Sequence, residues 1–211
     1  NIRSMNERYI RQIMIPEIGE AGQEKLKNAK VLIVGIGGLG SPISLYLTAA
    51  GVGQIGLIDD DIVSKSNLQR QILYTEAEIG QSKVECACRR LSALNSSTRF
   101  ETYPNRFTPD NANRLVSAYD IIVDGCDNAA TRYLIDDVCS RFKKPYVYGS
   151  ISEFRGQASV FNYRGGSRYS DLYPRPEVIP PARPGGVIGT IPGIIGCMEA
   201  AEVIKIITGY G

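Results

Sequence analysis

The ten residues Val31-Leu-Ile-Val-Gly-Ile-Gly-Gly-Leu-Gly40 constrain the fold of this chain more than any other stretch. Val31 to Val34 read as a strand, because an unbroken apolar run suits a strand covered on both faces, as in a parallel sheet. Gly35, Gly37 and Gly40 then fit G-x-G-x-x-G, and Ser41 to Ala50 reads as the helix that follows. Such a turn lets backbone N–H groups approach a phosphate at the positive end of a helix. A second apolar strand, Gln54-Ile-Gly-Leu-Ile58, ends in Asp59-Asp60-Asp61, where an acid usually holds a nucleotide ribose. The predicted fold class is therefore α/β: a Rossmann-like, mostly parallel sheet flanked by helices and opening with a nucleotide-binding βαβ unit. The glycine turn alone is as compatible with NAD as with ATP.

Histidine is absent. That removes Ser-His-Asp and Cys-His catalysis, general acid–base work by imidazole, and metal sites that need it. Chemistry here has to lean on positioning, cations and a metal ion held by oxygen ligands. The length of 211 residues suits one domain, 1–211, with a substantial core. A net charge of +2 argues against nucleic acid or a membrane surface as the main partner. No apolar run is long enough to span a bilayer and no signal peptide is visible. Cys86, Cys88, Cys126, Cys139 and Cys197 are odd in number and irregularly spaced. That pattern suits a reducing cytoplasm better than a disulfide framework.

Along the chain, Asn1 to Asn6 is polar and reads as partly disordered. Residues 6–28 read as helix, broken at Pro16, with Arg8 and Arg11 on the first arm. An arginine there is by itself an ordinary surface charge. The polar stretch Ile62 to Tyr74 begins where a strand's carboxyl end delivers ligand contacts, which favours Asn67 and Arg70 as phosphate ligands over a plain crossover. Gly80-Gln-Ser-Lys83 opens a helix to about Asn95. Lys83 in its first turn opposes the helix dipole unless an anion pairs with it. Thr98 to Tyr103 reads as a third strand, Thr108 as the N-cap of a helix, and Asp120 to Asp124 as a buried fourth strand. After it comes Gly125-Cys-Asp127-Asn128 and a helix to about Arg141. Asp127 is placed either to hold Mg²⁺ or to cap that helix. Pro145 to Tyr148 and Gln157 to Phe161 read as further strands, Tyr163 to Gly186 as a long irregular loop, and Ile191 to Thr208 as a closing amphipathic helix.

Tyr9-Ile-Arg-Gln12, Gly35-Ile-Gly-Gly-Leu-Gly40, Asp59-Asp-Asp61, Ser66-Asn-Leu-Gln-Arg-Gln71, Gln81-Ser-Lys83 and Cys126-Asp-Asn128 occur together and in order. In this the chain resembles the ThiF/MoeB adenylyltransferase family of the ubiquitin-activating superfamily, from about Asn6 to Gly211. The resemblance implies antiparallel strands and a long crossover loop toward the C-terminus. It implies ATP-dependent activation of the C-terminal Gly-Gly carboxylate of a ubiquitin-like sulfur carrier, of thiamine or molybdopterin type, to an acyl-adenylate with release of pyrophosphate. A carboxylate is already a nucleophile, so no base is needed, in keeping with the missing histidine. By position, Asp59 would hold the ribose, and Gly37 and Gly38 would let the backbone approach the nucleotide. Asn67, Arg70 and Lys83 would bind phosphates, Asp127 would hold Mg²⁺, and Asp61 and Asn128 would complete the nucleotide site. A homodimer is implied, with Arg11 serving the partner subunit's triphosphate.

Two departures accompany the resemblance. Relatives often bind a structural Zn²⁺ through two C-x-x-C pairs; here the first would fall at Arg168 to Asp171 and the second near the C-terminus, and neither has cysteines, so no zinc is expected. The crossover-loop cysteine of some relatives falls near Ala182, leaving covalent sulfur chemistry there without its nucleophile. Cys126 lies near the site, but flanking acids disfavour its thiolate. The alternatives are a non-catalytic, nucleotide-dependent binding protein for such a carrier and, more remotely, an NAD-dependent oxidoreductase.

Overall fold

The computed structural model describes residues 2–179 and 185–211, with side chains from residue 7 onward. The position near Ala182 lies outside the described residues. Its core is one six-stranded sheet in the order β3-β2-β1-β4-β5-β6. The strands are β1 (Lys30–Val34), β2 (Gln54–Ile58), β3 (Arg99–Tyr103), β4 (Ile121–Asp124), β5 (Tyr146–Ser152) and β6 (Arg155–Phe161). The first five run parallel, and β5 and β6 form an antiparallel hairpin.

Alternate residues of the apolar strands face opposite sides. Val31 and Ile33 join Ile55, Leu57 and Val123 in one cluster, under α3 (Gly40–Ala50), α4 (Lys83–Leu94) and α8 (Thr190–Thr208). Leu32 and Val34 join Ile58, Ile122 and Tyr146 in the other, under α5 (Pro109–Ala118) and α6 (Ala129–Phe142). Burial on both faces is why these strands read as unbroken apolar runs rather than alternating ones.

The helix α1 (Ile2–Ile13) starts inside the stretch expected to lack order, and α2 (Gly19–Asn28) follows after the break at Pro16. Tyr9 is buried and its hydroxyl accepts from Asn95 Nδ2 at 2.8 Å, while Gln12 donates to the Ala50 carbonyl at 3.1 Å. These bonds fasten α1 to the body and leave Ile10 and Met14 exposed beside Arg11.

Two readings of the C-terminal third need correction. The irregular loop contains a short helix, α7 (Tyr169–Leu172), because the buried Asp136 accepts Tyr169 N–H at 2.9 Å and Arg168 at 3.0 Å. The closing helix α8 is not amphipathic. It packs on α3, β5 and β6 at once, and its outward positions Ile194 and Met198 are apolar too. Its one fully buried charged-type side chain is Glu199.

Candidate active site

The strand order reverses between β1 and β4, and in open α/β sheets ligands bind outside the strand carboxyl ends at such a point. A cavity of about 800 Å³ opens there. It is lined by the glycine turn, Asp59 to Asp61, Asn67, Arg70, Lys83, Asp127 and Asn128. The structure thus gathers every expected site residue except Arg11, which is exposed on α1 and does not line the cavity.

The glycines divide into two kinds. Gly35 has φ +91° at the end of β1, and a Cβ there would meet Gly125 O at 2.6 Å; a Cβ at Gly40 would overlap Gly35 O. These two are required by backbone against backbone. Gly37 and Gly38 line the cavity, and a Cβ on either meets only side chains, of Gln71 at 3.4 Å and Pro192 at 3.2 Å. They leave the turn bare where a ligand would approach.

On the β2 side, the Asp59 carboxylate accepts backbone N–H groups from Ile36 at 2.7 Å and Asp61 at 2.9 Å, tying the end of β2 to the glycine turn. Burial nevertheless outweighs these bonds and the nearby Lys83 charge, and pushes the Asp59 carboxyl up from its ordinary value. Lys83 begins α4, three residues later than the sequence reading opened it, because Gly80 (φ +89°) ends the preceding turn. Its ammonium is buried and pairs with Asp61 Oδ2 at 2.9 Å. The anion that offsets the helix dipole in this chain is therefore a side chain, Asp61, and no phosphate is needed to explain the lysine. Asn67 accepts Ser64 N–H at 3.0 Å, and Arg70 donates to Ser66 O at 3.0 Å while lining the cavity.

On the β4 side, the choice between the two roles of Asp127 becomes concrete. The N-cap of α6 is Asn128, whose Oδ1 accepts Thr131 N–H at 2.9 Å. Asp127 does not cap; it is exposed to the cavity, with Asn128 Nδ2 at 3.3 Å from one carboxylate oxygen. An exposed hard-oxygen donor lining the same cavity as the bare glycine turn fits what Mg²⁺ prefers. The acids Asp59, Asp60 and Asp61 also lie close together. Their carboxylates are engaged by backbone N–H groups, Arg106 and Lys83 respectively.

Sequence reading missed the buried wall behind Asp127. Asp124 is fully buried and accepts Arg132 Nε at 3.2 Å, Tyr146 Oη–H at 2.8 Å and Cys126 N–H at 2.9 Å. Arg132 also donates to the carbonyls of Cys126 at 3.2 Å and Gly149 at 3.3 Å, and its guanidinium lies 5.4 Å from the centre of the Tyr148 ring. A signal was available: Arg132 stands four residues after the N-cap, on the helix face that looks back to the cavity. The same wall disfavours the Cys126 thiolate, since burial first and Asp124 next push its thiol well up.

Fold and cavity together define a doubly wound α/β protein whose cleft at the switch point carries cations and acids but no imidazole. The chain belongs to the ThiF family, whose model matches residues 9–211. It is 49% identical over 205 residues to "Adenylyltransferase and sulfurtransferase MOCS3" of Culex quinquefasciatus, covering 96% of this chain and 47% of that one. It is 47% identical over 211 residues to "Probable adenylyltransferase/sulfurtransferase MoeZ" of Mycobacterium tuberculosis, covering 97% and 54%. The chain therefore spans about half the length of the curated relatives it matches. Among solved structures, PaaA superposes with a TM-score of 0.83 at 27% identity, over 99% of this chain and 67% of that one. MccB of E. coli with ATP superposes with a TM-score of 0.77 at 27% identity, over 90% and 59%. No helix among the described residues is long and apolar enough to cross a membrane.

Proposed function

We propose that this chain is an adenylyltransferase that uses ATP to activate the C-terminal Gly-Gly carboxylate of a ubiquitin-like sulfur carrier, releasing pyrophosphate. The observation that carries the reading is the convergence of Asn67, Arg70, Lys83 and Asp127 on one cavity beside a bare glycine turn. The adenylyltransferase names of the relatives and the ATP in the MccB structure support it.

In this reading Gly37 and Gly38 admit the triphosphate against backbone N–H groups at the start of α3. Asp59 accepts from the ribose hydroxyls. Arg70 and Lys83 stabilise charge that builds on the α-phosphate and on the departing pyrophosphate. Lys83 reaches the phosphates from its pairing with Asp61, which holds the ammonium at the cavity wall. Asp127 is the residue that would hold Mg²⁺, which when bound neutralises phosphate charge. The attacking carboxylate needs alignment rather than a base, so proximity supplies much of the rate. Arg11 of a second copy completes the triphosphate site, with Ile10 and Met14 beside it offering apolar surface to that copy. Arg168, where a first zinc-binding cysteine pair would fall, pairs with Asp136 and Asp137, both at 3.0 Å.

The test is ATP–pyrophosphate exchange with Mg²⁺ and purified β-grasp proteins ending in Gly-Gly, of thiamine and molybdopterin type. Exchange that depends on one carrier is expected. ATP binding without exchange for any carrier would instead favour a nucleotide-dependent binding protein. Where exchange is seen, mixing Arg11→Ala with Asp127→Ala subunits should restore part of the activity each has lost.

A further inference from the structure

Glu199 lies in the middle of α8 and is fully buried. Among the described residues, neither of its carboxyl oxygens has a hydrogen-bond partner. Its side chain occupies the space over Gly149 of β5, so that a Cβ on Gly149 would overlap Oε1. The Gly149 carbonyl is one of the acceptors that hold Arg132, at 3.3 Å, and Arg132 lines the cavity. A buried polar group without a partner is costly, and its presence calls for a reason.

We propose that Glu199 is a positioning residue of the site: its carboxyl, seated on Gly149, fixes the stretch of β5 whose carbonyl holds Arg132 at the cavity wall. The activity readout of this proposal rests on the adenylation reading; its structural readouts do not.

Among the described residues, the charges that act on Glu199 are those of Asp124 on β4 and Arg132 on α6. The helix α3 brings no charged residue against α8, and its Tyr46 is exposed. The α2 helix meets the last turn of α8, around Thr208, with Lys25 bonded to the Thr208 carbonyl. Tyr146 and Tyr148 of β5 belong to the cluster on the other face of the sheet, and Arg155 of β6 is exposed. Burial, reinforced by the Asp124 charge and only partly offset by Arg132, pushes the Glu199 carboxyl well up from its ordinary 4.5, which favours its neutral form. The folded chain then holds a proton that the unfolded chain releases above that ordinary value, and stability falls as pH rises toward the folded value. A glutamine keeps the shape without the proton.

The experiment compares Glu199→Gln and Glu199→Ala with the native chain. As pH rises above that ordinary value, the Tm of Glu199→Gln should gain on that of the native protein. In carrier-dependent exchange, Glu199→Ala should lower kcat by roughly tenfold or more with KM for ATP little changed, as expected for misplacement rather than lost binding. Glu199→Gln should retain kcat. In a crystal structure of Glu199→Ala, the Gly149 carbonyl should move out of hydrogen-bond reach of Arg132. A Tm gap that does not vary with pH overturns the neutral acid. An unmoved Gly149–Arg132 bond overturns the positioning role, whether or not the protein adenylates a carrier. Absence of exchange in the native chain, with the bond displaced in the variant, counts against the adenylation reading alone. Should Glu199→Ala fail to fold, Gly149→Ala tests the same contact from the other side, because its Cβ would overlap Glu199 Oε1: loss of fold, or a displaced Gly149–Arg132 bond with lowered kcat, is expected, and a variant with native Tm, bond and kcat overturns the contact.

Discussion

The cavity has two walls, each carrying an ion pair, and the two pairs are built differently. On the β2 side Lys83 meets Asp61, whose side chain is 63% exposed. On the β4 side Arg132 meets Asp124, which is 0% exposed and has further bonds to Tyr146 and Cys126. An acid open to solvent can release its cation to an incoming phosphate, because water compensates the carboxylate left behind. A buried acid cannot, because losing its cation strands a charge in the interior. The β2 wall is thus suited to exchanging partners during a reaction, and the β4 wall to holding still.

The largest effect expected from this contrast is on stability. Arg132→Ala should cost about 3–5 kcal/mol in urea denaturation, the usual penalty for breaking a buried pair from one side. Arg70→Ala, on the open wall, should stay within about 0.5 kcal/mol of the native chain. Similar losses from both would erase the distinction between the walls.

Next in size is an effect on activity alone. Asp127→Ala removes a carboxylate that is exposed and does not cap α6. Pyrophosphate exchange should fall roughly a hundredfold or more, as when one preorganised electrostatic contact is removed, with the urea midpoint unchanged. A folded Asp127→Ala protein with native exchange would show that the chemistry does not run through this carboxylate.

The same contrast explains how much of the molecule was legible beforehand. The β2 wall is made from short stretches of contiguous sequence. Gly35 to Gly40 follows its strand directly, Asp59 to Asp61 ends the next one, and Asn67 and Arg70 share a turn, so local pattern was enough to find them. The β4 wall is made at long range. Arg132 meets Gly149 from another element, and Glu199 reaches that glycine from fifty residues further on; no spacing rule links them. The closing helix was misread for a related reason. Its apolar residues do not form one stripe, since the helix packs on α3, β5 and β6 at once and its outward Ile194 and Met198 are apolar as well. Lys83 was read correctly as needing an anion, but the Asp61 that supplies it lies 22 residues earlier and becomes its neighbour only through the fold.

The smallest expected effect separates cap from ligand at Asn128. Its Oδ1 caps α6 and its Nδ2 leans toward Asp127, so one residue joins the helix cap to the exposed carboxylate. Asn128→Ala should cost about 1 kcal/mol, the typical value of a lost N-cap. Asn128→Asp keeps a capping oxygen of nearly equal quality and places a negative charge favourably at the helix start. It also takes away the amide that donates to Asp127 and sets a second carboxylate beside it. Stability measured by urea and exchange measured at saturating ATP should then part company: near-native midpoint, reduced kcat. If Asn128→Asp instead keeps full activity, Asn128 belongs to the scaffold alone, and the boundary between the two kinds of wall runs between residues 127 and 128.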